Sequence, residues 1–351
     1  MNMKKAMAKG LALLMGLSVL AGAASLPVYA EETELNIYMW GDYISDDLIA
    51  GFEEANGCKV NLSFMSDNAD AINKLTAGAG SDYDLIMTCD AYMESLINGG
   101  YLEELDTSKV PNAEANLNKA YWTDDIHNYC VPYLMNYIYV VYNTETCPLD
   151  EITCYNDLIK PELAGQIGSV DGARNLFPIA LVALGYDPNS TNEDEIAEAY
   201  EWLTKYNENV VAYGSTEQNM VSGAISVMFT YDGNTAWAMD QMGEDNPLVI
   251  APFTEDPVQL GIDLYVMPKG AQHQELAYKF LDYICDAEVM AANLVEFPYS
   301  CPNDAAIEAA SDEYKNGPAF DFDYKTNIFF QEDVGDALPV YDQYYQMLKV
   351  G

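Results

Sequence analysis

Basic residues are scarce in this chain. Its 351 residues carry 15 Lys and Arg and two His against 56 Asp and Glu, a formal charge of −41. Nucleic-acid binding needs clustered Lys and Arg, so that class of partner is excluded. Enzyme signatures are lacking too. The two His, His127 and His273, lie in polar surroundings, and no H-E-x-x-H, G-x-S-x-G or Walker loop occurs. Acids this abundant fall close together by chance, so their proximity says nothing about glycoside hydrolysis. No C-x-x-C is present, and the seven Cys are an odd count, so neither a zinc site nor a disulfide framework is indicated. Cys147 and Cys154 are close enough in sequence to bridge. Internal repeats and low-complexity linkers are absent, and no apolar run reaches the length of a bilayer span.

What is present begins with an export address. Lys4, Lys5 and Lys9 precede an apolar stretch from Leu11 to Leu20, and Val28-Tyr29-Ala30 is a small-residue cleavage site, so residues 1–30 read as a signal peptide. No Cys stands near residue 22 to carry a lipid anchor. The expected location is periplasmic or extracellular. Losing residues 1–30 removes three Lys and no acids, which takes the charge from −41 to −44. A field of that sign concentrates cationic solutes and also keeps a monomer soluble. High aromatic content argues against disorder. The mature length exceeds what one core serves well, so two lobes are expected.

Short apolar runs alternate with amphipathic stretches. Residues 35–39, 59–64 and 84–88 read as strands, with helices over 46–55, 69–77 and 91–98. Further strands are expected over 137–142, 166–170, 224–230, 248–252 and 263–267. Helices are expected over 173–184, 193–203, 233–242, 276–285, 287–294 and 337–349. The class is α/β. Domains joined by paired crossings suggest a hinge around a central cleft.

Trp40-Gly41-Asp42-Tyr43 follows the first strand, where an open α/β sheet places its ligand crevice. Two aromatics and a carboxylate suit an organic ammonium through cation–π contact and a charge-assisted hydrogen bond. The same residues suit an aromatic plug capping the strand, and both readings stand. Asp263 lies in an otherwise apolar strand, where a carboxylate needs a partner or a wet cleft. Tyr344 and Tyr345 share helical spacing with Tyr341 and Leu348, which indicates core packing over a ferric-ion tyrosine pair.

Eight ordered pieces carry a family resemblance. They are Tyr38-Met39-Trp40-Gly41-Asp42-Tyr43-Ile44, Asp82-Tyr83-Asp84-Leu85-Ile86, Val131-Pro132-Tyr133, Lys160-Pro161-Glu162-Leu163-Ala164-Gly165, Asp171-Gly172-Ala173-Arg174-Asn175, Asp263, Tyr299-Ser300-Cys301-Pro302-Asn303 and Gln331-Glu332-Asp333-Val334-Gly335. With them the chain resembles the solute-binding proteins of polyamine (spermidine/putrescine) ABC transporters. The resemblance implies a two-lobed periplasmic-binding-protein fold, type II-like, with the ligand in a cleft between lobes. Lobe 1 would comprise residues 31–138 and 263–302, and lobe 2 residues 139–262 and 303–351. It further implies capture of putrescine or spermidine by cleft closure, delivery to an ABC transporter permease and no cofactor. Trp40, Asp42 and Tyr43 would supply rings and one acid, Asp263 the carboxylate for an ammonium, and Tyr299 and Gln331 further polar contacts. Tyr231 stands where the family commonly has Trp.

The chain departs from the family at several contacts. Gly172 and Asn175 occupy positions that usually carry acids, Cys89 and Ala91 replace a hydroxyl residue and an aromatic, and Gly261 replaces a Trp. Asp90, Asp171 and Asp232 adjoin expected cleft positions and are the candidates to compensate. Arg174 could orient Asp171 or meet a ligand carboxylate. The alternatives are the same fold binding an amino-acid-like zwitterion or a metal chelate, and an exported hydrolase.

Overall fold

The computed structural model describes residues 33–66, 68–243, 245–317, 320 and 326–350. By contacts the chain divides into residues 1–31 and residues 32–351, and all the described residues belong to the second unit. The expected signal peptide lies outside the described residues. Among them, no helix is long and apolar enough to cross a membrane.

Ten strands form one sheet: β1 (Glu34–Met39), β2 (Lys59–Phe64), β3 (Leu85–Cys89), β4 (Cys130–Asn143), β5 (Ile167–Ser169), β6 (Val210–Tyr213), β7 (Val227–Tyr231), β8 (Leu248–Ile250), β9 (Val258–Val266) and β10 (Ile328–Phe329). Their order is β2-β1-β3-β9-β4-β7-β5-β6, with β8 beside β4 and β10 beside β9. The flanks are parallel, built by crossover helices. Asp46–Asn56 carries the chain from β1 to β2, and Asn68–Thr76 from β2 to β3. The centre is antiparallel: β9 pairs with both β3 and β4, and β4 with β7.

Apolar side chains gather in three clusters. One holds Leu35, Ile37, Phe52, Leu85, Tyr265 and Phe280 with the first half of β4. The others cover opposite faces of the second half. Ile138, Val140 and Tyr142 join Leu176, Phe177, Leu203 and Phe229, whereas Tyr137, Tyr139 and Val141 join Met228 and Leu260. That alternation is the period of two of an extended strand. Each fully buried side chain of this kind contributes about 1.5–3 kcal/mol. The fold is two-lobed, and β4 and β9 each contribute side chains to more than one of these clusters.

Most elements expected from the sequence form within a few residues of their expected bounds. Two expectations need correction. Strand 137–142 is the second half of β4, which starts at Cys130; Pro132 lacks a donor, and the register shifts between Pro132 and Leu134. Strand 263–267 is the end of β9, which starts at Val258 because Gln259 and Gly261 break the apolar run without breaking the ladder. Cys147 and Cys154 do not bridge: all seven Cys are free, and the Cys154 side chain caps the turn Tyr155–Ile159. β6 and the helix Glu217–Val221 have no clear periodic signal, since each is five residues or fewer.

Asn293, on the helix Ala287–Glu296, ties that helix to the turn after β1. Its Oδ1 accepts the Ser45 N–H at 3.0 Å, and its Nδ2 donates to the Tyr43 carbonyl at 3.2 Å and to the Tyr133 hydroxyl at 3.1 Å. The side chain is buried. Asn293→Ala leaves the Ser45 N–H without this partner, at about 1–3 kcal/mol, while the Tyr43 carbonyl keeps the Tyr133 hydroxyl at 3.0 Å. Urea unfolding is expected to show a loss of about 1–3 kcal/mol.

Candidate functional site

The β4–β9 ladder is the floor of a cavity of about 270 Å³. On β9, Gln259, Gly261 and Asp263 are two residues apart and share one face. On β4 their partners in register are Ile138, Asn136 and Leu134. Asn136, Ile138, Gln259, Gly261 and Asp263 all line the cavity. A Cβ added at Gly261 would meet nothing within 4 Å, so the middle of the floor is open.

Asp263 is 7% exposed and is held by neutral donors. The Tyr43 hydroxyl donates to Oδ2 at 2.6 Å, Asn136 Nδ2 donates to Oδ2 at 2.8 Å, and Trp40 Nε1 reaches Oδ1 at 3.4 Å. Burial raises its pKa against these three bonds. Asp90 sits just beyond Cys89, the residue opposite Asp263 on β3. Its Oδ1 accepts the Ile262 N–H at 3.2 Å. Burial pushes Asp90 up to about 7, opposed by that bond and assisted by the Asp263 charge.

Four aromatic rings complete the walls: Trp40, Tyr43, Tyr231 and Tyr299. Tyr43 meets Tyr299 edge to face, with centroids 5.0 Å apart. Tyr299 in turn lies against the helix Asp232–Met242, where a Cβ on Gly233 would fall 2.4 Å from the ring. Only glycine admits the ring at that distance. Tyr231, at the end of β7, pairs with Ile138 and accepts from Asn175 at 3.2 Å. Asn175 Oδ1 accepts from Gln259 at 3.4 Å and Gln331 at 3.3 Å, which gathers three amides at one end. No Lys, Arg or His is among the lining residues, and two lining residues carry buried acceptors without partners, Asn68 Oδ1 and Gln259 Oε1.

Of the residues singled out from the sequence, Trp40, Tyr43, Asp90, Tyr231, Asp263, Tyr299 and Gln331 line this cavity. Asp42, Asp171 and Asp232 do not. Asp42 is exposed, in a left-handed turn (φ 52°) that directs the chain from β1 toward Tyr43. Asp171 is taken by Lys349 at 2.8 Å and by the Tyr345 hydroxyl. Asp232 is fully buried and accepts the N–H groups of Gly233 and Ser300, at 2.8 and 3.2 Å. Arg174 also lies outside the lining; it donates to Asn189 and the Glu332 carbonyl and packs over Tyr341. Tyr344 stacks on Tyr200 against the cluster that holds Phe177 and Leu203. Asn136 and Gln259 line the cavity without having stood out in the sequence. Each is a polar residue inside an apolar strand, the same signal that marks Asp263. Among the described residues, no group of three or more His, Cys, Asp and Glu is arranged to hold a metal ion.

A family described as "Bacterial extracellular solute-binding protein" matches residues 47–321. The Spermidine/putrescine-binding periplasmic protein 1 of Haemophilus influenzae is 33% identical over 89% of this chain and 88% of its own. A solved structure from Listeria monocytogenes superposes with a TM-score of 0.82 at 29% identity, over 91% of this chain and 99% of that one. The spermidine/putrescine ABC transporter substrate-binding protein PotD of Streptococcus pneumoniae superposes at 0.76 with 25% identity, again over 91% and 99%.

Burial also raises Asp232 to about 7, against its bonds to Ser300 and Gly233. An acid raised by folding stabilises the native chain fully below its ordinary pKa of about 4 and loses that contribution as pH climbs through the raised value. For Asp90 and Asp232 the window runs from about 4 to about 7. Ligand-free protein is therefore expected to lose stability as pH rises from about 4 to about 7. In the Asp90→Asn/Asp232→Asn double variant, urea unfolding across that range is expected to give a flatter profile.

Proposed function

Because this chain belongs to the bacterial extracellular solute-binding protein family, we propose that it captures a polyamine, putrescine or spermidine, by cleft closure and delivers it to an ABC importer. One observation carries this reading: a cavity with two carboxylates, four aromatic rings and spare acceptors, and no cation in its lining. Asp263 holds an ammonium, since its three donors are neutral and leave its charge uncompensated. The rings of Trp40, Tyr43 and Tyr299 offer their faces and edges to the adjoining methylenes and to the charge. The names of the relatives support the ligand class.

The same reading divides the chain at about residues 138, 262 and 303 into two discontinuous lobes, the divisions falling along or beside the shared β4–β9 ladder. Ser95, beyond β3, donates to Asp333, beyond β10, a contact between residues of the two proposed lobes. A ligand that contacts both lobes favours the closed form by its differential affinity. The protein works outside the cytoplasmic membrane, as the periplasmic relatives do, with a permease as its partner. It binds and releases without covalent chemistry. A zwitterion would need a cation for its carboxylate; Arg174, the candidate, is engaged elsewhere.

Two measurements test this reading. In a thermal-shift screen, putrescine or spermidine at hundredfold excess over Kd is expected to add about 2.7 kcal/mol of stability. Asp263→Asn removes a charged hydrogen bond and is expected to weaken putrescine by about 1.5–3 kcal/mol, tenfold or more in Kd by calorimetry, while Asp42→Asn leaves it unchanged. Unaltered affinity in Asp263→Asn would remove that carboxylate from the site.

A further inference from the structure

The two ends of the cavity differ in chemistry. Asp263, on β9, and Asp90, in the turn just beyond β3, are at one end. Gln259 stands four residues back on the same face of β9, about 13 Å away at the usual rise of an extended strand. There the lining is Asn175, Gln259 and Gln331, bonded to one another and carrying no charge. The acid nearest in sequence, Asp171, is neutralised by Lys349 and lies outside the lining. Between the ends, Gly261 leaves the floor open for a chain of methylenes.

The amide end has a definite hydrogen-bonding polarity. Asn175 Nδ2 donates to the Asp171 carbonyl at 2.7 Å and to Tyr231, so its donors are spent. Gln331 Nε2 donates to the Arg174 carbonyl at 2.6 Å and to Asn175. Gln259 Nε2 is likewise turned to Asn175, and its Oε1 is buried without a partner. The cluster is short of donors and has acceptors to offer. A ligand group that brings an N–H without needing a counter-charge matches it. A carboxylate finds no cation in the lining, and the only donors left to it at this end are the Tyr231 hydroxyl, which accepts from Asn175, and the second Gln259 N–H.

Resting on the polyamine reading, we infer that this site takes a diamine with only one charged end: an ammonium on Asp263 and Asp90, and at the far end a neutral nitrogen, as in a mono-acylated diamine. A site with a carboxylate at each end loses a charged hydrogen bond when one ammonium is acylated, about tenfold to a hundredfold in affinity. Here the far end has no such bond to lose.

Calorimetry with putrescine, N-acetylputrescine and 4-aminobutyrate tests the inference. N-acetylputrescine is expected to bind within about threefold of putrescine, and 4-aminobutyrate at least about tenfold more weakly than either. The isosteric Asn175→Asp places a charge at the far end and is expected to shift preference toward putrescine by about tenfold. Putrescine binding with a tenfold or greater loss on acetylation overturns this inference alone and leaves the polyamine reading intact. An unshifted preference in Asn175→Asp, or 4-aminobutyrate bound as well as putrescine, also overturns it. Absence of binding by both putrescine and its acetyl derivative overturns the polyamine reading with it.

Discussion

A carboxylate kept charged-ready by neutral partners is the constraint on which the cavity depends. Asp263 sits in the middle of a sheet, buried, with a phenol, an indole and a side-chain amide as its hydrogen-bond donors. Burying an ion is costly unless it is paired, and these donors meet only part of that cost. The remainder is available to a cation that arrives from solution. An arginine in the same place would have stabilised the empty protein and disabled the site. The scarcity of Lys and Arg in the whole chain and their absence from the lining are two levels of one arrangement: acids that face the cleft are left without a basic partner.

The arrangement propagates outward. Tyr43 can reach Asp263 because Asp42 adopts a left-handed turn and because Asn293 holds the Tyr43 carbonyl from behind. Tyr299 can reach Tyr43 because Gly233 lets its ring lie against a helix. Asp232 fixes the segment that carries Tyr299 by accepting the Ser300 N–H. Residues that never touch the cavity thus set the position of those that do.

Much of this was legible in the sequence, for identifiable reasons. The β-α-β-α-β beginning could be read because its strands and helices keep their periods of two and 3.6. Asp263 was legible because a lone acid in an apolar strand has few explanations. The limits are as physical. Whether an acid faces a cleft or a lysine depends on contacts far away in the chain, and Asp171 meets Lys349 across 178 positions. Asp232 and Asp90 each end or follow a strand with an acid, yet one is sealed beneath Ser300 and the other lines the cavity. Asn136 and Gln259 carried the same signal as Asp263, but a neutral amide in a strand is cheaper to bury than an acid and stands out less.

The continuity of the central ladder has a mechanical consequence. Backbone pairing between β4 and β9 runs unbroken from Leu134 and Asp263 to Ile138 and Gln259, directly beneath the cavity. The link between the halves is therefore a flat spring, compliant to twist and stiff to stretch, and not a loose tether. Bending about this ribbon need not rupture its backbone bonds, which is compatible with the microsecond-to-millisecond regime of domain motions. Resistance to opening then rests with contacts made across the cavity, above the ribbon.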